Sequence, residues 1–97
     1  MPTYEQDSQF MNDWKHLSPE QRIRFIAAVR EMVDDIKAKR PFRTSLRVKR
    51  FAAIPNYYEM SFEGDGRALF EFGVSPHPGD IHIFWHGIGG HEIFKRR

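Results

Sequence analysis

The chain has no cysteine among its 97 residues. Disulfides, thiolate nucleophiles and cysteine-ligated zinc or iron sites are therefore excluded, and stability has to come from packing. No apolar run approaches the roughly 20 residues that cross a bilayer. The opening MPTYEQDSQF has neither the cationic start nor the apolar stretch of a signal peptide. The expectation is a cytoplasmic protein without membrane contact. Repeats and low-complexity tracts are also missing, so residues 1–97 read as one domain with no linker. What is present, 40% hydrophobic residues of which many are aromatic, suffices for a single core of two packed layers.

One further absence is local. Residues 39–51 contain six cations (Lys39, Arg40, Arg43, Arg47, Lys49, Arg50) and no anion, although the net charge of the chain is only +2. The flanks on both sides are acidic. A concentrated basic block of this kind is either a solvated loop or a local field that attracts phosphates or an acidic partner.

Secondary structure divides the chain in two. SPEQRIRFIAAVREMVDDIKAKR places Ser18 as an N-cap, Pro19 at the first helical position and Gln21 three residues after the cap. Ile23, Ile26, Val29, Val33 and Ile36 then draw an apolar stripe, widened by Phe25 and Met32, along a helix from Ser18 to Lys39. Phe10, Met11, Trp14 and Leu17 predict a shorter amphipathic helix before it, giving an N-terminal helix hairpin. After Pro41 the pattern alternates: LRVKRF, YYEMSFE, RALFEFG and DIHIFWH read as four strands, with HEIF (91–94) as a short last one. The expected fold is α+β, a helix hairpin packed on one face of a twisted antiparallel sheet of about four strands.

The turn at Gly64-Asp65-Gly66 predicts a hairpin with Gly66 left-handed, pairing Glu63 with Arg67, Phe62 with Ala68, Met60 with Phe70 and Tyr58 with Phe72. Tyr58, Met60, Phe62, Ala68, Phe70 and Phe72 then face the helices. Glu59, Ser61, Glu63, Arg67, Leu69 and Glu71 line a second face that no predicted helix covers. Arg67, with Arg47 and Lys49 on the neighbouring strand and His91, Lys95 and Arg96 near the C-terminus, makes a basic surface suited to a polyanion, beside which Tyr57 or Phe94 can stack on bases. The bland alternative for Arg67 is a cross-strand pair with Glu63. His82 and His86 share a face but stand roughly 13 Å apart by strand rise, too far for one metal ion. RNA cleavage by the 2′-hydroxyl needs a base, an acid and cations, without a metal. His91, Glu59 and Arg67 are candidates for those roles.

In order, LSPEQR, LRVKRF, YYEMSFEGDGRALFEFG and IHIFWHGIGGHEIF resemble the RelE/ParE toxin superfamily, in particular the RelE-like translational repressors, over roughly residues 10–95. The resemblance implies two helices on an antiparallel sheet, a ribosome-dependent, metal-independent mRNA endonuclease without cofactor, and a cognate antitoxin as partner. Arg67 matches the arginine that binds phosphate after the hairpin turn. Glu59 and Ser61 stand where well-known members carry lysines, and His91 and Phe94 where a cation and a tyrosine are common. With the reading of the residues above, Arg67, His91 and Glu59 are the candidate catalytic residues, and Arg47, Lys49, Lys95 and Arg96 the candidate RNA or phosphate contacts. Its alternative is a binding protein of the same fold, such as a gyrase inhibitor or a catalytically impaired relative.

Overall fold

In the computed structural model the described residues are 2–75, 77 and 79–90. His91, Phe94, Lys95 and Arg96 lie outside them, as does the short strand expected at 91–94. Two helices, α1 (Ser8–Trp14) and α2 (Pro19–Lys37), precede most of the sheet. The strands are β1 (Thr3–Gln6), β2 (Lys49–Arg50), β3 (Tyr58–Ser61), β4 (Arg67–Gly73) and β5 (His82–Gly89). A short 3₁₀ helix, Thr44–Leu46, precedes β2.

The sheet has five strands in the order β1-β5-β4-β3-β2, with β1 parallel to β5 and the other pairs antiparallel. The α+β class with helices on one face agrees with expectation. The all-antiparallel, four-strand sheet does not, because the N-terminal TYEQ adds a parallel edge strand. That tetrapeptide is too short and polar to announce itself by period, and it is held by partners distant in sequence. Thr3 and Asp7 donate backbone bonds to the carbonyls of Ile81 and Trp85, at 2.9 and 3.1 Å.

Local chemistry sets the helix starts. Ser18 Oγ accepts from the Gln21 N–H while Gln21 Oε1 accepts from the Ser18 N–H, a reciprocal capping box with Pro19 at the first position. Asp7 caps α1 by accepting from the Phe10 N–H at 2.8 Å. The buried face of α2 is Phe25, Ala28, Met32 and Asp35, with Val29 and Ile36 packed at its border. The stripe read from the isoleucines is therefore rotated: Ile23 is 68% and Ile26 44% exposed. Phe25 wins the interior because it meets Trp85 edge-on at 5.1 Å and Phe62 at 5.5 Å. Phe10 and Phe70 complete this lattice around Trp85, at 6.0 and 5.3 Å, and such aromatic pairs add about 0.5–1.5 kcal/mol each beyond their buried area.

The β3–β4 hairpin pairs Ser61 with Arg67, Met60 with Ala68, Glu59 with Leu69 and Tyr58 with Phe70. The expected register is thus shifted by two residues; a shift of two leaves the paired side chains on their predicted faces, whereas Glu63, expected on the uncovered face, lies beyond the end of β3 and meets Arg24 of α2. Met60, Ala68 and Phe70 are accordingly fully buried against the helices, although Phe72 is 42% exposed. Gly66 is not left-handed either, since the positive-φ glycine among the described residues is Gly79. What Gly66 provides is room: a Cβ there would stand 2.7 Å from the Phe62 ring.

Candidate functional site

The second sheet face is less open than the alternation predicts. Leu69 is fully buried without joining the helix-side cluster, and Glu59, His82 and His86 are also buried. His86 lies between the rings of Tyr57, at 4.4 Å, and Phe84, at 4.5 Å, both nearly parallel to it. Its Nδ1 is 2.9 Å from Asp7 Oδ2 and its Nε2 2.8 Å from Glu71 Oε1. A neutral imidazole carries one N–H, so bonding both carboxylates takes either the imidazolium, which donates twice, or a protonated carboxyl that donates to the bare ring nitrogen. His82 is held the same way, with Nε2 2.8 Å from Glu5 Oε2 and Nδ1 2.7 Å from Thr3 Oγ1. Both histidines thus fasten the N-terminal segment to β5, and Tyr57 is engaged in a stack rather than free for a base. Among the described residues no three His, Asp or Glu side chains are arranged to hold a metal ion.

The basic block is partly consumed by internal pairing. Asp35, fully buried in α2, accepts from Arg40 Nε at 2.6 Å, the Arg43 backbone N–H at 2.9 Å and Arg43 Nη2 at 3.0 Å. Arg43, foremost by the hydrogen bonds of its guanidinium and then by that of its backbone N–H, holds the Asp35 carboxyl well below the usual carboxylate range. The same bonds raise Arg43 above its ordinary value. Arg43 also reaches Glu31 Oε2 at 3.2 Å. Nothing in the sequence pattern marks Asp35; its charge interrupts an apolar stripe and is compensated by arginines five and eight residues later.

This anchor fixes the approach to the site. Beyond Arg43 the chain makes one 3₁₀ turn, buries Leu46 and caps it with Arg47, whose backbone is left-handed at φ 47°, ψ 45°. LRVKRF is consequently not one strand: only Lys49 and Arg50 pair with β3. Arg47, Val48 and Lys49 face Glu59 and Ser61 of β3 and Arg67 of β4 across a cleft of about 310 Å³. Four of the seven residues singled out in the sequence, Arg47, Lys49, Glu59 and Arg67, therefore line one cavity. Lys49 Nζ is 3.4 Å from Glu59 Oε1. Arg67 does not pair with Glu63, which binds Arg24 instead at 3.4 Å; Arg67 Nη1 donates to the carbonyls of Gly64 and Gly66, at 3.0 and 2.9 Å. The remaining guanidinium donors are directed by neither contact. Chemically, three cations and one nearly buried carboxylate around a cleft can bind a phosphodiester and move a proton beside it.

A left-handed arginine costs about 1 kcal/mol relative to glycine. Arg47→Gly is expected to raise the melting temperature by a few degrees while weakening anion binding in the cleft; Arg47→Ala should weaken binding without the thermal gain. Thermal melts and oligonucleotide titrations of both variants separate the two effects.

A second concavity lies at the β1 edge of the sheet. Tyr4, Gln6, Trp14, Phe25, Ile26, Val29, Arg30 and Trp85 line a largely apolar groove of about 320 Å³ between β1 and α2. Tyr4 is 67% exposed and Met11, near the same edge, 56%. No helix of the described residues is long and apolar enough to cross a membrane.

No protein-family model matches the chain, and no curated protein does. Solved structures do match in fold. A chain of the RelB–RelE antitoxin–toxin complex from Methanococcus jannaschii superposes with a TM-score of 0.61 at 16% identity, covering 94% of each chain. A chain of the E. coli DinJ–YafQ complex gives 0.61 at 13% identity, over 96% of this chain and 97% of that one. YafQ from E. coli strain BL21(DE3) gives 0.62 at 12% identity with the same coverage.

Proposed function

Starting from a fold shared with RelE and YafQ, we propose that this protein is the toxin of a toxin–antitoxin pair, a cytoplasmic endoribonuclease that cuts mRNA on the ribosome without a metal or cofactor. The observation that carries this reading is the convergence of Arg47, Lys49, Glu59 and Arg67, from three separate segments, on one cleft. In the proposed reaction a base takes the proton of an RNA 2′-hydroxyl, whose oxygen attacks the adjacent phosphorus. The bond to the 5′-oxygen breaks, that oxygen takes a proton from an acid, and a 2′,3′-cyclic phosphate remains. Glu59 and His91 are the proposed proton carriers. Arg67, Arg47 and Lys49 stabilise the charge that grows on the phosphoryl oxygens, and Lys95 and Arg96 add backbone affinity. Glu59 suits a base because it is nearly buried yet opens to the cleft, with Lys49 beside it.

The test is induced expression followed by primer extension on cellular mRNA. Discrete new 5′ ends that vanish in the Arg67→Ala strain support the reading. Growth arrest with intact mRNA and DNA double-strand breaks would instead identify a gyrase inhibitor, and arrest unchanged in both Arg67→Ala and His91→Ala would remove the site.

The proposed cognate antitoxin would cover the apolar groove between β1 and α2. Tyr4 and Ile26, which line it, are exposed apolar side chains, as are Ile23 and Met11. Lys15 and Arg30 flank it with no carboxylate in the lining, which favours an acidic amphipathic segment. Ile26→Asp is expected to weaken the complex at least about tenfold and leave RNA cleavage unchanged. Titration of the purified antitoxin against wild type and variant measures it; equal affinities would place the antitoxin elsewhere.

A further inference from the structure

A second cavity adjoins the cleft, and the backbone explains why. β2 pairs Lys49 with Glu59, and Phe51 donates to the Tyr57 carbonyl at 2.9 Å. Continued by two residues, the same register would set Arg47 opposite Ser61. The left-handed turn at Arg47 carries the chain away instead, so the ladder stops at Lys49. In an antiparallel ladder the hydrogen-bonding pairs recur every second residue: 51 with 57, 49 with 59, and next 47 with 61. The main-chain N–H and C=O of Ser61 therefore point into the gap that Arg47 leaves.

That gap is a neck between two cavities. Arg47 and Ser61 line the phosphate cleft on one side and, on the helix side, a cavity of about 350 Å³ shared with Glu31, Ser45, Glu63 and Gly64. The two sides differ in chemistry. The cleft presents cations. The helix-side cavity presents hydrogen-bond acceptors, for Glu31 engages Arg43 and Glu63 engages Arg24 through Oε2 in each case, leaving Oε1 as an acceptor. Ser45 and Ser61 add hydroxyls, the ring of Phe62 adds an apolar wall, and Gly64 leaves the rim open, since a Cβ there would meet nothing within 4 Å.

We propose that this helix-side cavity is a nucleobase subsite, which reads an amino-bearing base of the nucleotide next to the phosphate held in the cleft. The proposal rests on the RNA-binding reading above and adds to it a preference. Carboxylates accept from the exocyclic amine of cytosine, adenine or guanine, whereas uracil has a carbonyl where cytosine has its amine and offers only its N3–H. A base placed there leaves its phosphate at Arg47, the cation common to both cavities, so affinity comes from the cleft and selectivity from the cavity.

Fluorescein-labelled oligo(C) and oligo(U) hexamers, two pyrimidine strands of similar stacking, provide the probe. Oligo(C) should bind the wild type about tenfold more tightly than oligo(U). Glu63→Gln should reduce that ratio to less than about twofold, because an amide replaces one acceptor by a donor, and its partner Arg24 is exposed enough to rehydrate. Ser45→Trp, at an exposed position, should fill the cavity and abolish the ratio too. Arg67→Ala should weaken both oligomers equally and keep the ratio. Equal binding of the two strands by the wild type, or a ratio that survives both cavity substitutions, overturns the subsite while leaving the cleft intact. Absent binding, or binding indifferent to Arg47→Ala and Arg67→Ala, overturns the RNA-binding reading and the subsite with it.

Discussion

Arg67→Ala is expected to slow RNA cleavage by at least about a hundredfold, the usual consequence of removing a preorganised donor from a developing oxyanion. Arg67 sits at the first residue of β4, anchored by two hairpin carbonyls that fix the guanidinium from one end. Losing those bonds loosens only an exposed turn, so the melting temperature should fall by no more than a few degrees. Arg67→Lys keeps the charge but loses the planar fork and should recover a minor part of the rate. Single-turnover cleavage of a ribosome-bound message, with a thermal melt of each variant, separates chemistry from folding. A variant that melts normally and still cuts at the wild-type rate would place the phosphate elsewhere.

Asp35→Ala should produce the largest loss of stability, a fall in melting temperature on the order of 10 °C or more, because it removes the buried carboxylate that joins Arg40 to Arg43 and frees the Arg43 backbone N–H. It should also lower RNA affinity, since the segment from Arg40 to Arg47 reaches the cleft only from this anchor. The pH dependence has a definite sign. Asp35 is more acidic folded than unfolded, so its contribution is complete above its ordinary value near pH 4 and declines as the pH falls below it. The stability gap between wild type and Asp35→Asn should therefore be wide at neutral pH and narrow in acid. Denaturant titrations at pH 7 and about pH 3 measure it; a gap that stays constant would mean that the carboxylate charge does not hold the loop.

The outcome for the sheet shows how much a local pattern can carry. A hairpin register wrong by two residues still put Met60, Ala68 and Phe70 inside and Glu59, Ser61 and Arg67 on the opposite face, because parity survives an even shift. The α2 stripe had no such protection: isoleucines and the Phe25–Ala28–Met32 row are both spaced for a helix, and only the rings of Trp85 and Phe62 decide between them. The cleft was legible as a set of residue types, yet its shape depends on the left-handed turn at Arg47, which no residue there announces.

The sequence by itself determined the capped helix hairpin, the alternation that sorts the central strands, the concentration of cations before β2, and the exclusion of cysteine chemistry. Each follows from residues a few positions apart, whose periodicity or charge acts before the chain folds. Tertiary structure alone decided the parallel edge strand β1, the burial of His82 and His86 against Glu5, Asp7 and Glu71, the Asp35 anchor, and the broken ladder between Arg47 and Ser61. These depend on partners supplied by other segments, because a buried charge or an interrupted strand is stable only where the rest of the molecule satisfies its hydrogen bonds.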